Sequence, residues 1–298
     1  MTQASTIRSE KLNSIVAFFC LMGGAAALAY GGVFVRESEL PPTASAVYRV
    51  LLAAPIFFLL AKYHSSSDAR QVDNDLIKKF IGVGCIFAGN LSLYHWSINY
   101  TTLANSNLLA NLAPIFVVIY MRFILGIHFT KGFLFAIGVT IAGALVLLGA
   151  RVNGDDAYTL GNLFGIASGA FYGFYLFYLG RIRALADTNI IMAWSCIGTL
   201  IVLLPLTYLL GEPLVPDTVN GWITLGLLAL VSHVAGQGLI AYALAHLSTA
   251  VSSLTLVLQV VFSTLFGWAL VGELPLALEF IGGVVIIMGV LAGRRFAS

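Results

Sequence analysis

Charge is what this chain has least of. Only 9% of its 298 residues are Asp, Glu, Lys or Arg, against about 25% in an ordinary soluble domain. With 59% hydrophobic residues and a mean hydropathy of +0.95, a soluble globular protein is excluded. Acidic residues are missing from the middle of every long apolar run. That removes the carboxylates on which proton-coupled carriers usually rely, and paired-aspartate chemistry with them. A net charge of +2 is too small to suggest a nucleic-acid partner. The three cysteines, Cys20, Cys85 and Cys196, each sit in an apolar run with no CxxC or Cys/His spacing. They read as buried small residues, neither disulfide partners nor metal ligands, and no cofactor or metal is expected. HExxH is absent, and Ser168 in Gly165-Ile166-Ala167-Ser168-Gly169 is not a Gly-x-Ser-Gly nucleophile motif, so no enzyme is expected. Eight prolines stand against 30 glycines, and glycine lets membrane helices approach closely.

What is present is a series of apolar segments about one bilayer long. Ten spans are read, at roughly 14–34, 43–61, 77–98, 101–121, 131–149, 160–180, 189–210, 220–242, 247–270 and 276–293. Turn-forming residues separate them: Glu39-Leu40-Pro41-Pro42, Ser65-Ser66-Ser67-Asp68, Asn153-Gly154-Asp155-Asp156 and Gly211-Glu212-Pro213. An N-terminal signal peptide is rejected. The apolar run from Ile15 to Val35 is too long for one, and Ala29-Tyr30-Gly31 echoes Phe171-Tyr172-Gly173 at a shift of 142.

That echo belongs to a duplication. Asn99–Tyr120 aligns without a gap on Leu244–Leu265 at a shift of 145, pairing Asn107 with Ser252 and Pro114 with Gln259. With Pro114 matched to Gln259, a kink in the fourth span need not recur in the ninth. Residues 1–150 and 151–298 form two halves of five spans each. An odd number of spans inverts one copy relative to the other, an architecture recurrent in transporters. With the N-terminus cytoplasmic, twelve Lys and Arg fall inside and only Arg36 and Arg151 outside. This satisfies the positive-inside rule and puts both termini in the cytoplasm. The expected fold is an all-α membrane protein of ten transmembrane helices in two inverted five-helix repeats.

Several motifs in order carry a resemblance. They are Tyr48-Arg49-Val50-Leu51-Leu52-Ala53-Ala54, Ala113-Pro114-Ile115-Phe116, Ala241-Tyr242-Ala243-Leu244, Ser248-Thr249-Ala250, Gly272-Glu273, Gly282-Gly283 and Ile287-Met288-Gly289-Val290-Leu291. Together they resemble the EamA-type members of the drug/metabolite transporter superfamily over nearly the full length. The family's Glu-Pro in the ninth span is here Leu258-Gln259, and its first-half Gly-Glu is Gly126-Ile127-His128. The resemblance implies a ten-helix carrier, in the inner or plasma membrane, of a small organic substrate that is often exported.

Polar residues inside the spans nominate the pathway, since uncharged amides facing lipid are costly. Candidate substrate-binding residues are Tyr30; Asn90, Tyr94 and His95; Asn107 and Asn111; Tyr172 and Tyr175; His233 and Gln237; and Ser252 and Gln259. They fall on equivalent spans of both halves (1 and 6, 3 and 8, 4 and 9). The second, fifth, seventh and tenth spans are almost purely apolar and are expected to face lipid or a partner chain. Each candidate also has a structural reading. Ser and Thr bond their own backbone, amides join helices, histidines are held by hydrogen bonds, and aromatics form interfacial belts. Arg49 lies about seven residues inside its span. It is read as snorkelling outward or pairing with a carbonyl, with substrate contact the lesser alternative.

A cavity of amides, hydroxyls and rings suits a neutral or zwitterionic molecule, with amino acids the best fit. A polyanion would want several basic residues in the spans, and only Arg49 is there. Without a carboxylate relay, uncoupled facilitated export is expected from a monomer or weak homodimer in the bilayer. An importer of a vitamin or other nutrient is the alternative.

Overall fold

The computed structural model describes residues 3–64, 72–101, 103–149, 156–271 and 277–296, and all their regular structure is helical. The turns at Ser65–Asp68 and Asn153–Asp155, together with Arg151 and Glu273, lie outside the described residues. Among the described residues eight segments are long and apolar enough to cross a membrane, and Lys131–Val146 forms a shorter apolar helix. In chain order the helices are α1 (Gln3–Arg36), α2 (Pro42–Leu51), α3 (Ala53–His64), α4 (Asn74–Tyr100), α5 (Leu103–Ala110), α6 (Ala113–Leu125), α7 (Lys131–Gly149), α8 (Asp156–Ile182) and α9 (Thr188–Leu209). There follow α10 (Val219–Leu227), a π-helical segment (Leu228–Gln237), α11 (Gly238–Leu244), α12 (Thr249–Leu256), α13 (Leu258–Val271) and α14 (Ala277–Phe296).

Starts follow capping chemistry. Asp73, Asp187, Thr218 and Ser248 each accept a backbone N–H of the following first turn. Pro42 enters α2 at its first position, where the missing N–H costs nothing.

Among the described residues three spans are interrupted, and the causes differ. Pro55 has no N–H for the Leu51 carbonyl, so the second span breaks between α2 and α3. Pro114 likewise leaves Ala110 without its helical donor, and Asn111 and Leu112 form a turn between α5 and α6. The ninth span breaks at Val257 although no proline is present. There Ser253 Oγ bonds the Ala250 carbonyl, Thr255 Oγ1 bonds Val251, and Val257 and Val260 pair backward by three residues. Hydroxyl back-bonding of this kind bends helices. The kink that the Pro114–Gln259 pairing left unrequired in the ninth span is therefore there, made by hydroxyls. The eighth span runs unbroken from Val219 to Leu244, with its centre loosened into the π turn.

Packing relies on small residues, as expected where lipid is no worse a solvent for leucine than protein is. On α8, Gly161, Gly165, Gly169 and Gly173 recur every fourth residue against Thr101, Leu109, the Leu109 and Ala110 carbonyls, and Phe116. This ladder brings α8 onto the broken fourth span. Gly31 of α1 leaves no room for a Cβ beside Ser232 of the π segment. α4 and α9 meet through Gly84 and Gly198, each against the other's backbone. α7 and α14 form a pair through Gly143 and Gly289, and their outer faces carry exposed Leu134, Phe135, Phe280, Ile281 and Met288. The expectation that the four apolar spans all face outward needs correcting. α7 and α14 have such faces, but α9 buries Met192, Cys196, Thr199 and Leu203, and α2 turns Arg49 inward at 4% exposure.

At one end of the bundle two loops exchange caps. Glu39, after α1, accepts the backbone N–H groups of Asp217 (3.1 Å) and Thr218 (3.2 Å) and the Thr218 hydroxyl, at the entry to α10. Glu212, after α9, accepts the Ala44 N–H at 2.7 Å, at the entry to α2. Each carboxylate thus sits at the positive end of the other loop's helix. The three donors hold the Glu39 carboxyl below the ordinary carboxylate value, the Thr218 hydroxyl contributing most.

Candidate functional site

The interruptions and the glycine contacts converge on one small cavity of about 40 Å³. Its wall draws Leu28 from α1, Arg49 from α2, Asn90, Leu91 and Tyr94 from α4, and Ala110 and Asn111 from the break in the fourth span. Tyr172 of α8, Gln237 of the π segment and Gln259 beside the ninth-span break complete it. Six of the twelve nominated residues are on this wall: Asn90, Tyr94, Asn111, Tyr172, Gln237 and Gln259.

The wall is tied together from behind. Asn107 is fully buried, and its Oδ1 accepts from Tyr94 Oη at 2.6 Å and from Gln259 Nε2 at 3.2 Å. Its Nδ2 donates to Ser263 Oγ at 3.4 Å, and its carbonyl receives Asn111 Nδ2 at 2.7 Å. One residue of α5 thereby joins α4, the turn at the fourth-span break and α13. Asn90 donates to Ser168 Oγ (2.9 Å) and the Ser168 carbonyl (3.1 Å), and the Ser168 hydroxyl donates back to the Asn90 carbonyl. That exchange joins α4 to α8. Tyr172 stacks on Tyr175 at 5.8 Å.

The other nominated residues have different neighbours. His95 is fully buried with Nδ1 3.0 Å from Ser45 Oγ and 3.1 Å from the Pro42 carbonyl, which fixes α4 to the start of α2. His233 faces Cys196 Sγ at 3.4 Å and packs between the Phe57 and Phe87 rings. Tyr175 packs behind Tyr172 against Phe87 and Met192. Tyr30 sets its ring edge-on to Phe34 and Phe266. Ser252 is fully buried with a hydroxyl that finds no partner. Of the ninth-span stripe, only Gln259 meets the fourth-span amides, and Thr255 bonds its own helix.

Arg49 is the residue that reading the sequence underweighted. Snorkelling is ruled out by its 4% exposure, and a carbonyl partner by the absence of any hydrogen bond to it among the described residues. Among the described residues no carboxylate lies on the cavity wall. The cavity therefore carries a fixed positive charge, where an uncharged one was expected. The Tyr172 hydroxyl and the Gln237 amide face each other at the wall without reaching hydrogen-bond geometry, which leaves the hydroxyl and Gln237 Oε1 unpaired. Unsatisfied buried polar groups are uncommon in native structures, and a cluster of them around a cavity can be met by a ligand. The one signal in the sequence was an arginine well inside an apolar run. Leu28, Leu91 and Ala110 carried no signal, being apolar residues among apolar neighbours.

Similar proteins agree with a transport role. The chain is 24% identical over 265 residues to the pseudopaline exporter of Pseudomonas aeruginosa, covering 88% of this chain and 89% of that one. It is 30% identical over 217 residues to the "Probable terminal-alkyne amino-acid exporter" of Streptantibioticus cattleyicolor, with 68% of each covered. One solved crystal structure superposes with a TM-score of 0.73 at 20% identity, covering 98% of this chain and 99% of the other, and so shares its fold. The model of the EamA-like transporter family matches twice, over residues 15–149 and 159–292. This multi-pass membrane chain belongs to the EamA-like transporter family.

Proposed function

We propose that the chain is an alternating-access carrier that exports a small zwitterionic metabolite, amino acids foremost, across the inner membrane. In this reading it has ten spans. Residues 1–150 and 151–298 are repeats inverted across the bilayer, both termini are cytoplasmic, and the substrate sits at the repeat interface. The observation that carries it is the cavity wall. The interrupted fourth and ninth spans meet there through Asn107 and Gln259, and polar groups around it lack partners. Broken spans at mid-membrane are where transporters concentrate binding groups. The exporter names of the relatives favour outward flux.

The transport is uncoupled. Among the described residues no carboxylate lies on the wall, and neither His95 nor His233 is part of it. The test is efflux from liposomes holding the purified protein, with a panel of L-amino acids, beside a growth screen on toxic amino-acid analogues. Resistance on expression supports export, sensitisation supports uptake, and movement of no solute in either assay rejects the carrier.

A further inference from the structure

Arg49 needs a counter-charge that none of the described residues provides. It sits on α2 seven residues inside the span, is nine-tenths buried, lines the cavity, and has neither hydrogen bond nor ion pair among the described residues. A guanidinium keeps its proton in such a site, because it is far too basic to be neutralised by burial. Removing water from an unpaired charge is strongly unfavourable unless an anion replaces it. The neighbouring groups are neutral. Tyr172 and Gln237 offer an unpaired hydroxyl and an unpaired amide oxygen, and Asn111 and Gln259 are amides. We infer that Arg49 is the anchor for a free carboxylate of the transported molecule, with Gln237 Oε1 as the acceptor for a substrate amine.

This rests on the carrier reading and narrows it. The substrate class is carboxylic acids, amino acids included, and not their amides, esters or amines. A planar guanidinium takes a carboxylate through two parallel N–H···O bonds, which an ammonium or a neutral amide cannot copy. Among the described wall residues a second anionic group would have no cation to meet, so the class is monocarboxylates.

The experiment uses full-length protein in liposomes and four probes on one skeleton: L-leucine, L-leucinamide, isoamylamine and 4-methylpentanoate. The L-phenylalanine series runs in parallel. Wild type is expected to move both acids at least ten times faster than the amide and the amine. Arg49→Gln should bring the acid-to-amide ratio near one, and Arg49→Lys should restore part of the preference. Each variant is checked by gel filtration and melting in detergent. A second readout does not need flux: phenylglyoxal labelling of Arg49, followed by peptide mass spectrometry, should be blocked by the acids and not by the amide. Equal flux of acid and amide in wild type, or an unchanged preference in Arg49→Gln, overturns the anchor and leaves the carrier standing. No flux of any probe with unprotected Arg49 rejects both. No flux with carboxylate-protected Arg49 rejects the carrier alone.

Discussion

Asn107 stands at the junction of three helices without touching the cavity, so its loss separates folding from binding. Asn107→Ala strands the Tyr94 hydroxyl and the Gln259 amide. It should cost about 1–3 kcal/mol, the price of leaving buried polar groups unpaired. A lowered melting temperature in detergent, preceding any change in substrate preference, is the expected result. Gln259→Ala and Asn111→Ala act on the wall itself. Each should cut efflux roughly 2- to 10-fold, the worth of one hydrogen bond, with little loss of folded protein. Wild-type flux in both would remove them from the site. Replacing His95 and His233 together should leave downhill flux independent of pH, and abolition of a pH-driven uphill flux by that pair would show that transport is coupled. Which polar residues reach the cavity was half legible. An amide in an apolar run announces that it must avoid lipid, and Asn111 and Gln259 do. Whether it then meets a cavity or a neighbouring helix depends on the rotation of each helix, which spacing alone does not give. Adjacent Tyr94 and His95 show this, since about 100° of turn sends one to the wall and the other to Ser45.

The interrupted spans are the elements that make the site. Pro114→Ala returns a donor to the Ala110 carbonyl and favours a continuous fourth helix. It should stabilise the fold slightly while slowing transport, because Asn111 would wind into the helix. The ninth-span break has no proline to remove. Its cause, hydroxyls bonding backward along α12, was invisible to an alignment that matched Pro114 with Gln259. The π segment hid more. His233 and Gln237, four residues apart in it, have different surroundings, which their spacing does not tell. Gln237 reaches the wall, whereas His233 is held among Phe57, Phe87 and Cys196. On α8, Gly169→Leu would drive a side chain into the Leu109 and Ala110 carbonyls. Loss of folded protein, measured as monodisperse yield, is expected.

At the scale of the molecule, membrane class, helix content and repeat were plain from composition and from the 145-residue shift. The inward turn of α2 and the burial of α9 were not, since an apolar helix reads the same whether it meets lipid or protein. Reporter fusions should put the 151–158 connection outside the cell, and a cytoplasmic result would overturn the inverted arrangement. The Glu39 cap sets an acid limit. The Thr218 hydroxyl and the two backbone N–H groups hold the Glu39 carboxyl below its ordinary value, so its contacts are intact above the ordinary carboxylate range and are lost as pH falls through the lowered value. Melting temperature should therefore stay level from neutral pH to about 5 and drop in stronger acid, with Glu39→Gln flattening the drop.

Those caps also impose an order on biosynthesis. Glu212 lies 168 residues beyond the Ala44 N–H it receives. While the first half is being made, α2 enters the membrane with that donor unmet, and it waits until the loop after α9 has been translated. Glu39 is already present when Thr218 emerges. The second half can thus be capped as it arrives, and its arrival completes the first. A chain stopped before residue 212 should be recognised as unfinished at its earliest helices, and membrane quality-control proteases should clear it faster than a chain stopped after α10.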